Sequence, residues 1–155
     1  MDTGSWLKIA EEILDYGVMG TLGVMSVVAL WMFIERMMFY KSVKIEEYDN
    51  KDLLEIDLTD NLSILSAIGS NAPYVGLIGT IIGIMITFYG MGEAGAVDTK
   101  AVMNGLALAL KATAFGIGVA IPGIVFYTIA IRKVERLSAL WEANHSPSAK
   151  TKAEA

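Results

Sequence analysis

The sequence predicts an all-α integral membrane protein: three transmembrane helices, cytoplasmic helical extensions and an N-terminal interfacial helix. Three observations carry this. Of the 155 residues, 54% are hydrophobic and only 19% are charged, where a soluble domain carries about 25% charged residues. The mean hydropathy is +0.51. The charges are also segregated, crowded between tracts that carry almost none, and three of those tracts reach the roughly 20 apolar residues needed to cross a hydrocarbon core.

Residues 1–15 form the N-terminal segment. Asp2, Glu11, Glu12 and Asp15 argue against a cleavable signal peptide, which begins with bases. Trp6, Ile9, Ala10 and Ile13 recur at helical spacing opposite Lys8, Glu11, Glu12 and Asp15. Such a pattern suits a helix lying in the outer interface; a plain helical extension of the first span fits it equally. Residues 16–34 are uncharged, end at Glu35-Arg36 and form the first transmembrane helix. Trp31, Met32 and Phe33 near its inner end suit a lipid-facing anchor.

Residues 35–69 are the cytoplasmic connection. Within it, residues 44–60 hold seven acids and two bases, a composition of solvated helix or loop, with an acidic docking site as the alternative. Residues 70–92 form the second transmembrane helix and 93–100 an outer-side turn. Residues 101–131 form the third, interrupted by Lys111 and closed by Arg132-Lys133. Residues 132–155 are a cytoplasmic tail whose end, SPSAKTKAEA, lacks apolar periodicity and reads as disordered.

Basic residues set the orientation. Arg36, Lys41, Lys44 and Lys51 lie between the first two spans, and Arg132, Lys133, Arg136, Lys150 and Lys152 follow the third. The positive-inside rule then places the N-terminus outside and the C-terminus in the cytoplasm.

Composition excludes much chemistry. The chain has no cysteine, and its one histidine, His145, lies near the polar tail. No metal site, cofactor or catalytic residue is expected, and neither paired carboxylates nor a phosphate loop is present, so the chain does not read as an enzyme. A net charge of −5 and a pI near 4.8 argue against a nucleic-acid partner.

The last two spans carry the informative pattern. Gly76, Thr80, Gly83, Thr87 and Gly90 follow one another at steps of four, three, four and three, making one stripe of small residues on a helix. Gly105, Ala109, Ala112 with Thr113, Gly116, Ala120 and Gly123 make a matching stripe. Small residues let helix backbones approach closely in lipid, so Gly76, Gly79, Gly83, Ala109, Gly116 and Ala120 are candidate packing positions. With a turn near Ala96, Thr80 and Thr113 share one depth, roughly 25 Å from the turn. Thr87 and Asn104 form a second near-matched pair, about 12–14 Å from it. Polar layers lining an ion or partner pathway follow; hydroxyls bonded to their own helix are the alternative.

Lys111 and Pro122 stand out in the third span. A lysine within a membrane helix is costly, but this one is roughly 32 Å of helix before Arg132 and reaches the outer boundary. Anchoring or inter-subunit charge pairing suits it. Pro122 frees the carbonyl of Gly118 and permits a kink.

The runs NAPYVGLIGTIIGIMITF and ALALKATAFGIGVAIPGIVFY resemble the last two membrane helices of the ExbB/TolQ/MotA family over roughly residues 60–140. The pairing of A-P-x-x-G-x-x-G-T with A-T-A-x-G-x-x-x-A-I-P carries the likeness, and three spans fit ExbB and TolQ rather than four-span MotA. The resemblance implies an inner-membrane stator of a proton-motive-force-driven machine. It implies a pentameric homo-oligomer around an ExbD/TolR-type single-span partner that supplies an Asp, with a TonB-type protein carrying energy to outer-membrane transporters. It also places the family's pore-lining threonines at Thr80 and Thr113. Two departures follow from the same match: Leu108 stands where longer members carry a Glu, and Lys111 stands at a nearby position that is apolar in them. The partner's Asp is thereby left as the carboxylate of the pathway. The rival readings are a TolQ-like envelope-integrity subunit, a self-sufficient channel, and a non-conducting membrane scaffold.

Overall fold

A computed structural model of the chain describes the backbone of residues 3–94 and 99–146, with side chains except at 3–8, 11, 93 and 94. Four α-helices follow in order: α1, Thr3–Ser42; α2, Lys51–Thr59; α3, Leu62–Ala94; and α4, Thr99–His145. A 3₁₀ turn, Ile45–Glu47, lies between α1 and α2. Three helices are long and apolar enough to cross a membrane, over Glu12–Ser42, Leu62–Gly92 and Thr99–His145. In lipid every backbone polar group needs an internal partner, which is why these apolar tracts are unbroken helices.

The backbone of α1 is helical straight through residues 15 and 16, as in a helical extension of the first span. The centre of the turn placed at 93–100 and the end of the tail lie outside the described residues. So do the side chains of Trp6, Lys8 and Glu11. Both α3 and α4 continue through their prolines, Pro73 and Pro122, and Pro122 is exposed.

Between α1 and α3 the chain is more ordered than its acidic composition suggests. Asn50 caps α2, its Oδ1 accepting from the Asp52 amide at 2.8 Å. Leu54 and Leu58, one turn apart, are fully buried among Tyr40, Ile45, Leu62, Ala130 and Val134. Asp52 and Asp57 of α2 therefore face out while Leu54 and Leu58 dock on α4. The Tyr40 hydroxyl donates to the Leu58 carbonyl at 2.8 Å, and Arg36, 5% exposed, donates to the Asp57 carbonyl at 3.2 Å. Trp141 Nε1 donates to the Tyr48 carbonyl at 2.9 Å, and Lys51 Nζ lies 2.6 Å from Glu142 and 3.3 Å from Glu55. These hydrogen bonds, the Glu142 one first, hold the Lys51 ammonium above its ordinary range. The hydrogen bond to Asp57 does the same for the Tyr48 hydroxyl. Asn61, at φ 60°, turns the chain from α2 into α3, a left-handed conformation that Asn tolerates.

α1 packs along the α3–α4 pair through Leu22, buried with Ala72 and Ala120. Phe33 corrects one expectation. It is half-buried and stacks on Phe126 of α4, ring centroids 4.3 Å apart, instead of anchoring in lipid; Trp31 is exposed. The anchor pattern and a helix-packing pattern look alike when the facing helix is equally apolar.

Candidate functional site

α3 and α4 run antiparallel with their backbones nearly touching. A methyl group on Gly76 would lie 2.5 Å from the Ala112 carbonyl oxygen and 3.1 Å from Gly116 Cα. One on Gly116 would lie 2.7 Å from the Ala72 carbonyl oxygen. Gly83 faces Ala109, Gly79 faces Ala112 and Val18 of α1, and Gly123 meets Gly69. Ala109, Ala112 and Ala120 are buried in the same seam. All these contacts fall within one subunit, and Gly83 in particular faces its own α4.

Close approach at this seam brings Thr80 and Thr113 together. Thr80 is 8% exposed, and its hydroxyl oxygen is hydrogen-bonded to that of Thr113. Thr80 Oγ1 also lies 2.9 Å from the Ala109 carbonyl and 3.2 Å from that of Gly76, while Thr113 Oγ1 lies 3.4 Å from the Gly76 carbonyl. Each hydroxyl has a single proton. Two arrangements satisfy the pair: Thr113 donates to Thr80 and Thr80 to Ala109, or Thr80 donates to Thr113 and Thr113 to Gly76. The proton order along the pair is reversible without moving a backbone atom.

The second pair does not form. Thr87 donates to its own helix, at the Gly83 carbonyl, 2.9 Å away, and its side chain packs on Gly105. Asn104 is exposed. Equal depth puts residues at one level, but a step of one residue turns a helix by about 100°, and it is Gly105 that faces α3.

Lys111 finds its partner inside the chain. Its Nζ lies 2.9 Å and 3.3 Å from the two carboxylate oxygens of Asp15 on α1, with both side chains partly buried. Asp15 carries no functional reading from its sequence position beyond an amphipathic pattern. Yet it stands as far before Arg36 as Lys111 stands before Arg132, so equal height was readable. Asp15 and Glu12 also edge a cavity of about 320 Å³ between α1, α3 and α4, walled by Gly83, Gly105, Leu108 and Ala109.

A sequence profile described as the MotA/TolQ/ExbB proton channel family matches residues 31–143. The chain is 53% identical over 135 residues to the "Biopolymer transport protein ExbB" of Aquifex aeolicus (strain VF5), covering 87% of this chain and 91% of that protein. It is 50% identical over 135 residues to the protein of the same name from Helicobacter pylori (strain J99), covering 87% and 93%. The Pseudomonas putida protein of that name is 40% identical over 78 residues, half of this chain and 24% of the longer one. With three helices able to cross a bilayer, a paired-threonine seam and a profile match over most of its length, the chain is a multi-pass membrane protein that belongs to the MotA/TolQ/ExbB proton channel family.

Proposed function

We propose that the chain is an ExbB-like inner-membrane stator subunit that couples ion flow to energised transport across the outer membrane. In this reading it forms a homo-oligomeric ring, a pentamer by family likeness, around an ExbD/TolR-type single-span partner, and works with a TonB-type protein. The N-terminus is periplasmic and the C-terminus cytoplasmic. The observation that carries the reading is the Thr80–Thr113 pair, two hydroxyls held between α3 and α4 with a reversible donor order. A carboxylate inside a membrane resists ionisation unless hydroxyls or water solvate it. A partner's Asp beside this pair therefore meets a polar setting, and away from it a dry one. Alternation between the two couples proton uptake and release to relative movement of ring and partner. Thr87, bonded to its own helix, borders this path at a different level, and Pro122 gives α4 a point of bending.

Thr→Val removes the hydroxyl and keeps the shape. Thr80→Val and Thr113→Val chains are expected to assemble with the partner and to lose proton flux in reconstituted vesicles. Full flux in the double Val variant, at normal assembly, overturns the polar-pair mechanism and favours a scaffold whose threonines serve packing alone.

A further inference from the structure

We infer that Asp15 is the counter-charge that makes Lys111 compatible with cation passage, and that the cavity beside it is the outer approach to the threonine pair; this builds on the ion-conducting reading above. The Lys111 ammonium contacts both carboxylate oxygens of Asp15, at 2.9 Å and 3.3 Å. Asp15 at once edges the cavity of about 320 Å³, which has room for several water molecules. Glu12 lies on the same edge, and Ala109, on the wall, is the residue whose carbonyl accepts from Thr80. The carboxylate edge and the paired hydroxyls thus lie on either side of Ala109, which walls the cavity and accepts from Thr80.

Charge decides what the pair does. An uncompensated ammonium repels an approaching cation, and the repulsion reaches far in a medium of low dielectric constant. With Asp15 bound, Lys111 is neutralised and Glu12 leaves the approach net acidic, which draws cations in. Asp15 is therefore a positioning residue: it acts through Lys111 and not on the transported ion. A mechanical clip between α1 and α4 would behave differently, because loss of either partner breaks a clip equally. Counter-charge action is asymmetric, since losing the acid exposes a positive charge and losing both charges exposes none.

Proton flux in vesicles holding the full chain and its single-span partner tests this, scaled per assembled complex. Asp15→Asn is expected to lower flux about ten-fold, while Lys111→Met retains at least about half and the double variant returns to within about two-fold of wild type. Asp15→Glu, which keeps the charge, conducts normally. Wild-type flux in Asp15→Asn, or a double variant as inactive as Asp15→Asn, overturns the inference. Where Asp15→Asn fails to accumulate, the double variant decides by itself: it conducts, or the inference fails. The Thr80→Val/Thr113→Val chain, measured in parallel, separates the two readings. If it conducts while the Asp15 pattern holds, the threonine mechanism falls together with the cavity's role as its approach, and the counter-charge alone stands; if the wild-type chain carries no flux, both fall.

Discussion

Gly76 and Gly116 meet backbone to backbone, with a methyl group on Gly116 placed 3.0 Å from Gly76 Cα. Neither neighbour is the movable end of a side chain, so the helices themselves must part to admit it. Gly76→Ala and Gly116→Ala are each expected to destabilise the folded chain by about 1–3 kcal/mol, the usual range for overpacking. Gly118, where an added methyl group would meet nothing within 4 Å, serves as the control, and Gly118→Ala should be neutral or slightly stabilising, by roughly 0.4–1 kcal/mol. Thermal unfolding in detergent, followed by circular dichroism, measures the difference.

The clasp between α4 and the segment before α2 gives a second test. Trp141→Phe removes the hydrogen bond to the Tyr48 carbonyl and should cost about 0.5–1.5 kcal/mol, leaving the apolar contact in place. It should leave proton flux unchanged if the clasp serves stability alone.

The same clasp has a defined pH range. Lys51 and Tyr48 both have their proton affinities raised by hydrogen bonds in the folded chain. Their contribution is fully present below the ordinary values of 10.5 and 10.0 and is lost as pH rises through the folded values above them. Trp141 fluorescence, read in a chain with Trp6 and Trp31 replaced by Phe and with His145, whose ring stacks on Trp141, replaced by Gln, should stay constant through neutral pH and shift only above this range. A shift between pH 5 and 8 would contradict it.

Orientation is tested by labelling. The chain has no native cysteine, so single cysteines at Asn50, Ala96 and Ser148 report separately. An impermeant thiol reagent applied from outside should label only position 96. Labelling at position 50 in intact cells would reverse the assigned topology.

Much of the seam was legible in the sequence, and the reason is arithmetic. Gly69 and Gly123, Gly76 and Gly116, Gly83 and Ala109, and Thr87 and Gly105 are each equidistant from position 96, and each pair touches. A hairpin with one antiparallel register needs only its turn to be located for every depth to follow. Facing direction was harder. Asn104 matched Thr87 in depth but sits on an exposed face of α4, and Phe33 had the composition of a lipid anchor while stacking on Phe126. Asp15 was hidden because its neighbours made it look like one more acid on a polar face. Leu54 and Leu58 were masked by the acids around them, although their spacing of one helical turn is the mark of a buried stripe.

Because glycine and alanine line the inside of the α3–α4 seam, the two helices form a spine with little freedom to slide or splay. What that spine turns outward is of another kind: Leu77, Ile81, Met85 and Phe88 on α3, and Phe115 and Ile121 on α4, all substantially exposed. These are bulky apolar side chains, and only Met85 among them is unbranched and flexible. Close contact lies within the hairpin and apolar bulk on its outside, so α3 and α4 shift as one body, and the face they turn outward is one that lipid or another apolar helix can cover.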